Sequence, residues 1–295
     1  MKSEASTYAT VPIADSFDGL SSVYAIDCKT KTDVELIEGD NISFTQPGIE
    51  RFKHVVRETL NFFGEKSGCN ISIISELSPK KGLGFDESVA SSIMLSLVGA
   101  LAKKKGTVYE LRIDKYVREQ VLEVDGLFVD FIELIRHLAS DKLRFDRMFC
   151  SLYGGFILAD NNQKKLLRRG GMESFYAAVC YGRPCETKND LFKCEAQLVW
   201  DEALKGNLYS ASKLYSMFFS RKRLEQALSK GAQTACVNRE GTTVSLCRDK
   251  KTAEKISKLV YMTANNKAHV NRKPHRIIKV NEFLQLKGEK KYYWV

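Results

Sequence analysis

Apolar positions recur every three to four residues in some stretches of the chain and alternate with polar positions in others. After Pro47, residues 49–63 carry apolar side chains at helical spacing, and Gly64 stands where such a helix would end. A second helix, beginning near residue 86, is predicted by an apolar stripe with a four-residue repeat, formed by Val89, Ile93, Leu97 and Leu101. Lysines 103–105 would close its last turn, where positive charge favours the helix dipole.

Extended segments alternate with further helices along the rest of the chain. β-branched and alternating residues between turn-forming pairs predict strands over residues 8–38, 69–77, 174–182, 233–237, 242–247 and 276–280. A hairpin is predicted over residues 151–169, with Asp160-Asn161-Asn162 at its turn. Helical spacing predicts helices over residues 113–139, with a weak point at Gly126, and over residues 193–205, 208–219, 222–230 and 252–262. The sequence has no internal repeat or proline-rich linker, so any two lobes must pack against each other.

Composition and charge narrow the class of protein. The chain has 295 residues, of which 44% are hydrophobic, and a net charge of +10. No stretch reaches the roughly eighteen apolar residues of a membrane span, and the acidic amino terminus does not resemble a signal peptide, so we expect a cytoplasmic protein with no membrane partner. The eight cysteines form no CxxC pair, which predicts reduced thiols and no zinc site.

The positive charge is concentrated in the last part of the chain, from Arg248 onward. Such a region could attract polyanions through its summed field. A solvated lysine-rich surface is the favoured interpretation, because no nucleic-acid-binding motif accompanies the charge. The sequence therefore disfavours a nucleic acid as a partner.

A glycine-containing loop between the strand at 69–77 and the long helix is the strongest chemical signal. It contains Lys80-Lys81-Gly82-Leu83-Gly84. Backbone amides at a helix amino terminus, approached closely through glycines, form a site for phosphate. A tight turn that only begins the helix is the alternative, and this motif alone would not exclude it.

Several motifs, taken together and in order, resemble the archaeal-type shikimate kinases of the GHMP kinase superfamily. They are SSVYAIDCKTKTDVELIEGD, SELSPKKGLG, the small residues Ala90-Ser91-Ser92, and FDRMFCSLYGGFILADN. The most specific piece places Phe145-Asp146 before Tyr153-Gly154-Gly155 and then Asp160-Asn161. The resemblance extends from about Tyr8 to Leu259.

This resemblance implies an α+β fold of two lobes. The amino-terminal lobe, residues 1–150, would be β-rich and carry the glycine loop, and the carboxy-terminal lobe, residues 151–295, would be ferredoxin-like and end in the basic region. The implied reaction transfers the γ-phosphoryl group of ATP, with Mg²⁺, to a hydroxyl of shikimate or a similar polyol acid. Whether the chain forms a homodimer stays open.

The resemblance also implies the roles of individual residues. Asp146 and Arg147 occupy the catalytic region, Asp86 is the candidate metal ligand and Asp27 the candidate substrate-binding residue. The candidate nucleotide-binding residues are Lys80, Lys81, Gly82, Leu83, Gly84 and Ser88.

Three departures from the family pattern open an alternative. Relatives continue GLG with Ser-Ser-Ser-Ala, whereas this chain continues with residues 85–88, Phe-Asp-Glu-Ser, so that Asp86 is either a metal ligand or a helix cap. The family's catalytic aspartate falls on Arg147, which cannot accept a proton, so Asp146 is the substitute candidate. The carboxy-terminal glycine loop is reduced to residues 235–241, of which 238–241 are typical of a β-turn. The alternative is thus a catalytically lapsed protein that acts as a binding or regulatory partner.

Overall fold

Strands and helices alternate along the chain and assemble into three sheets. The structure, a computed structural model, describes residues 1–17, 19–112, 118–185, 193–271 and 273–289. Its strands are β1 (Lys2–Phe17), β2 (Leu20–Ile37), β3 (Ile42–Phe44), β4 (Gly68–Ser75), β5 (Gly106–Arg112), β6 (Arg118–Val124), β7 (Leu127–Phe128), β8 (Phe156–Asp160), β9 (Lys165–Gly170), β10 (Tyr176–Cys180), β11 (Thr234–Val237), β12 (Thr243–Cys247), β13 (Leu259–Met262) and β14 (Arg276–Lys279). Its α-helices are α1 (Lys53–Phe62), α2 (Phe85–Lys105), α3 (Phe131–Leu138), α4 (Phe145–Tyr153), α5 (Lys193–Lys205), α6 (Leu208–Ser229), α7 (Lys250–Ile256) and α8 (Val280–Glu289).

The largest sheet has six strands and carries the helix that follows the glycine loop. Its order is β3-β4-β2-β8-β9, and β1 pairs along β2 as a long antiparallel hairpin. Helix α2 packs against β1, β2 and α4 and is buried on every side. Its buried serine hydroxyls find partners, since Ser92 Oγ lies 2.6 Å from Thr32 Oγ1 and Ser96 Oγ donates to Ser3 O at 2.7 Å.

Two four-stranded sheets complete the architecture. The antiparallel sheet β11-β12-β10-β13 is covered by α6 and α7. In the sheet β14-β5-β6-β7, strand β14 pairs parallel to β5, and α8 packs beside it. One helix among the described residues, α2, is long and apolar enough to span a membrane, and 89% of its most apolar window is buried inside the protein.

Most of the predicted elements are confirmed, and two helix predictions are wrong. Within residues 113–139, the described residues form β6, β7 and only then α3, while residues 113–117 lie outside the described part. Asp125 and Gly126, with φ of 51° and 80°, make the two-residue turn between β6 and β7, so the glycine marks a hairpin and not a weak helix. The helix predicted over residues 252–262 ends at Ile256, and β13 follows it.

Two further predictions need adjustment. The hairpin predicted over residues 151–169 begins only at β8, because residues 151–153 belong to α4. The helices predicted at 208–219 and 222–230 form one element, α6, interrupted at Ser220, where φ is −162° and ψ is 94°. The α+β class is confirmed. The division of the chain at residue 150 stays a prediction.

Candidate functional site

The glycine loop between β4 and α2 adopts a conformation that only glycine accepts easily. Gly82 and Gly84 have φ of 69° and 65°, and Gly84 is the residue directly before the first turn of α2. Leu83, between them, is buried, and its carbonyl accepts a hydrogen bond from Thr10 N at 3.1 Å. A β-carbon on Gly84 would overlap the Thr10 hydroxyl. Strand β1 therefore holds the loop closely, with its amides at the helix start.

Asp86, in the first turn of α2, pairs with Arg51. The two side chains form an ion pair, and they are 45% and 50% exposed. The expectation that Asp86 caps the helix is wrong, because the cap position is Gly84 and no side chain caps the helix there. The role of Asp86 as a metal ligand stays a prediction. The Arg51 charge compensates Asp86, so this carboxylate repels a phosphate less than its position in the sequence suggested.

Glu87, the second carboxylate of this turn, is buried within a group of charges from α4. Its side chain is 6% exposed, and burial raises the pKa of its carboxyl group. The charge of Arg147 acts in the opposite direction, while the neighbouring Asp146 adds to the rise. The structure thus brings the two predicted catalytic positions next to the start of α2.

The raised pKa of Glu87 gives a pH-dependent stability with a defined sign. A carboxyl group whose pKa is raised in the folded state contributes most stability below its ordinary pKa of 4.5, and that contribution is lost as the pH rises through the folded-state pKa. Glu87→Gln carries no charge to bury. We therefore expect the free energy of unfolding of the variant to exceed that of the parent at pH 7 and the difference to shrink toward pH 5. Urea titrations at several pH values measure this, and a difference that grows as the pH falls would contradict it.

Asp146 is fully buried, and its carboxylate is held by several donors. Arg144 donates from Nε and Nη2 to the two carboxylate oxygens, each at 3.1 Å, and Ser21 Oγ donates to Oδ2 at 2.8 Å. The Asp146 backbone N–H donates to Asn161 Oδ1 at 3.1 Å, and Asn161 Nδ2 donates to Ser21 Oγ at 2.8 Å. Asp146 and Asn161, which the sequence motif places at a fixed spacing, are therefore joined by a hydrogen-bond network. Both Asp146 carboxylate oxygens therefore already accept hydrogen bonds within the protein.

A hairpin turn from the carboxy-terminal half covers the glycine loop. The turn between β11 and β12 is closed by a hydrogen bond from Gly241 N to Asn238 O at 3.0 Å, which confirms the predicted β-turn. Asn238 Nδ2 donates to Lys81 O at 3.0 Å and to Gly82 O at 3.2 Å. A β-carbon on Gly82 would overlap both this amide and the carboxylate of Glu240. The space beside Gly82 therefore holds the carboxylate of Glu240.

The remaining predicted site residues have other neighbours. Lys80 is exposed with φ of 60°, and Lys81 Nζ lies 5.5 Å from the centre of the Tyr181 ring. The Ser88 hydroxyl is buried 3.1 Å from Thr7 Oγ1, on the side of α2 that faces β1.

Asp27 is 44% exposed and pairs with Lys29 at 3.2 Å. The contacts described for Asp27 do not bring it to the glycine loop, so its substrate-binding role stays a prediction.

Three residues at this site were missed by sequence reasoning. Arg144 could have been found from the sequence, because an arginine two residues before a buried aspartate can pair with it. No local sequence pattern indicates Arg51, since its partner Asp86 is 35 residues away. Glu240 lay in a recognised turn, but the sequence did not place its carboxylate against Gly82. Among the described residues, no group of three or more His, Cys, Asp or Glu side chains could hold a metal ion.

Comparisons with known proteins bear on the fold and on the family resemblance. No protein-family model matches the sequence. The shikimate kinase of Methanocella arvoryzae is 26% identical over 230 residues, covering 74% of this chain and 73% of that protein. The homoserine kinase of Cytophaga hutchinsonii aligns with a TM-score of 0.63 at 14% identity, over 91% of this chain and 97% of that structure. The chain has the GHMP kinase fold. The Methanococcus jannaschii mevalonate kinase aligns over 90% of this GHMP-fold chain and 98% of its own, with a TM-score of 0.60 and 14% identity. The resemblance to the archaeal shikimate kinases is confirmed as a divergent one.

Proposed function

We propose that this GHMP-fold chain is an ATP-dependent small-molecule kinase whose acceptor is shikimate or a similar polyol acid. The observation that carries the proposal is the similarity to a shikimate kinase along three quarters of the chain, together with a glycine loop at the amino end of the buried helix α2. The solved structures with this fold include kinases for small alcohols, which supports activity of the same general type.

The charge around the loop is compatible with a nucleotide once the hairpin has moved away. Asp86 is paired with Arg51, and Glu87 is buried beside Arg147. The carboxylate of Glu240 lies in the space beside Gly82, so this space accepts an anion of the size of a carboxylate. Phosphate oxygens would take the place of that carboxylate and would be held by the loop amides. ATP binding is therefore a competition with Glu240.

The positions of the residues suggest which of them would bind the phosphates, neutralise charge and hold the metal ion. Lys81 and the loop amides would hold the phosphates, and Arg147 would neutralise charge on the transferred group. Asp86 would hold Mg²⁺ after leaving Arg51, and the ion would supply charge compensation between phosphates. Phosphoryl transfer depends mainly on positioning and charge stabilisation, so an arginine in place of the usual base lowers the rate without removing the chemistry.

A lapsed catalyst that acts by binding is the second candidate. It is favoured by a specific observation: the position of the family's base holds Arg147, and the neighbouring Asp146 is buried and hydrogen-bonded to Arg144 and Ser21. Such a chain would bind a ligand at the same cleft without turning it over.

One pair of measurements separates the two candidates. The full chain is titrated with ATP and Mg²⁺ by calorimetry, and ADP release is then followed in a coupled assay with shikimate. We expect saturable ATP binding and shikimate-dependent ADP release. ATP binding without ADP release, in the parent and in Arg147→Asp alike, would support the second candidate. Absence of ATP binding both in the parent and in a variant without Glu240 would contradict the first.

A further inference from the structure

A small cavity with both polar and apolar lining residues lies beside the hairpin turn at Gly241. It has a volume of about 190 Å³ and is formed between α6, β12 and the residues that follow β10. Two cations, Arg223 and Lys230, line it together with Gln226, Thr243 and Ser245. No carboxylate is found among its lining residues in the described part of the chain.

The cations reach the cavity because of helical periodicity. The second half of α6 begins after the interruption at Ser220, and Arg223, Gln226 and Lys230 follow at intervals of three and four residues, which places them on one face. Lys230 is exposed at the end of the helix, and Arg223 is half-buried. A ligand would therefore meet a half-buried guanidinium and an exposed ammonium.

The hydroxyls come from alternate residues of a strand. Thr243 and Ser245 are separated by two positions in β12, so their side chains leave the same face of the sheet. Ser245 is 0% exposed, and its Oγ has no hydrogen-bond partner. A buried hydroxyl without a partner costs free energy, because it has lost water and gained nothing in exchange. Because Ser245 also lines the cavity, its hydroxyl is available to pair with a ligand there.

The Arg223 guanidinium has further N–H donors that such a ligand could use. Its Nη1 donates to Gly241 O at 2.6 Å and contacts Cys185 Sγ at 3.6 Å, and its Nη2 donates to Arg183 O at 3.1 Å. A guanidinium carries five N–H donors, and these contacts with described residues use three. The others can form the paired, charge-assisted hydrogen bonds that arginine makes to oxyanions.

We propose that this cavity is a second ligand site that binds a phosphate-type oxyanion, either free phosphate or the phosphate group of a small ester. Arg223 and Lys230 supply charge, and Ser245 supplies a hydroxyl that hydrogen-bonds a phosphate oxygen. The volume of about 190 Å³ accommodates one phosphate group. The proposal is independent of kinase activity at the glycine loop.

Calorimetric titration of the full chain tests the proposal with inorganic phosphate and with glycerol 3-phosphate. We expect one saturable site. Lys230→Gln should weaken binding about 10-fold, as loss of a charged hydrogen bond does, and Ser245→Ala about 5-fold. Lys222→Gln removes the same charge from an exposed position of α6 outside the cavity, and we expect a change of less than about 2-fold. Tighter binding of one probe than the other identifies the source of the phosphate group.

Three results would overturn the proposal. The first is no saturable binding of either probe by the parent chain. The second is equal weakening in Lys222→Gln and Lys230→Gln, which would indicate a general surface charge effect. The third is phosphate binding that ATP displaces and Lys230→Gln leaves unchanged, because that binding would belong to the glycine loop. Lys230 is exposed, so its variant should fold even if a change at Arg223 disturbs the turn.

Discussion

Replacing Glu240 by glutamine should increase the affinity of the chain for ATP by about 10-fold or more. The carboxylate of Glu240 lies against Gly82, so a phosphate entering the loop meets a like charge as well as a steric obstacle. At about 4 Å and an effective dielectric near 20, one such charge pair is worth about 4 kcal/mol, and solvent screening at this half-exposed position reduces it toward the roughly 1.4 kcal/mol of a 10-fold change. The measurement is a calorimetric titration with ATP and Mg²⁺.

A neighbouring position supplies the control. Arg239→Ala changes the same turn but removes no carboxylate from the loop, so it should not increase ATP affinity. Glu240→Ala removes both the charge and the bulk, and its affinity should equal or exceed that of Glu240→Gln. Unchanged affinity in both Glu240 variants would show that the carboxylate does not compete with the nucleotide.

Replacing Asp146 by asparagine should lower the free energy of unfolding by about 3–5 kcal/mol, the usual cost of breaking a buried charge pair. Asp146 is fully buried, and its partner Arg144 is 20% exposed, so the arginine would lose its counter-charge in a poorly hydrated place. The asparagine keeps the shape but lacks one of the two oxygens that Arg144 contacts. Urea unfolding, monitored by circular dichroism, measures this change in the free energy of unfolding.

The exposed Asp141 provides the matched control for this substitution. Asp141→Asn should change stability by less than about 0.5 kcal/mol, as surface substitutions usually do. A cost below about 1 kcal/mol for Asp146→Asn would contradict the structural role of Asp146. Loss of kinase activity with unchanged stability would instead identify Asp146 as a proton acceptor.

The fold could be predicted largely because its strongest signals are local. The apolar stripe of α2 and the glycines before it are contiguous in sequence, and the motifs around Tyr153 carried the resemblance to a family. The error over residues 113–139 came from following helical spacing through Asp125-Gly126, a pair that forms a two-residue hairpin turn. Local periodicity of a short segment does not distinguish a half-buried strand from a helix.

The site was less predictable, because its decisive contacts join distant parts of the chain. Sequence reasoning correctly located the two carboxylates at the start of α2 but assigned a role only to Asp86. In the structure, Asp86 is half-exposed and paired with Arg51, while Glu87 is buried beside Arg147. The contact of Glu240 with Gly82 spans more than half of the chain. Only the packing of the β11–β12 hairpin against the loop determines it, and no local pattern reports that packing.

A crystal structure of the chain with a non-hydrolysable ATP analogue and Mg²⁺ tests the central claim most directly. We expect the phosphates at Gly82 and Gly84, with Glu240 and Asn238 withdrawn from the loop. An analogue bound elsewhere, or no bound analogue at saturating concentration while Glu240 stays against Gly82, would contradict the claim that the nucleotide and the hairpin compete for one site.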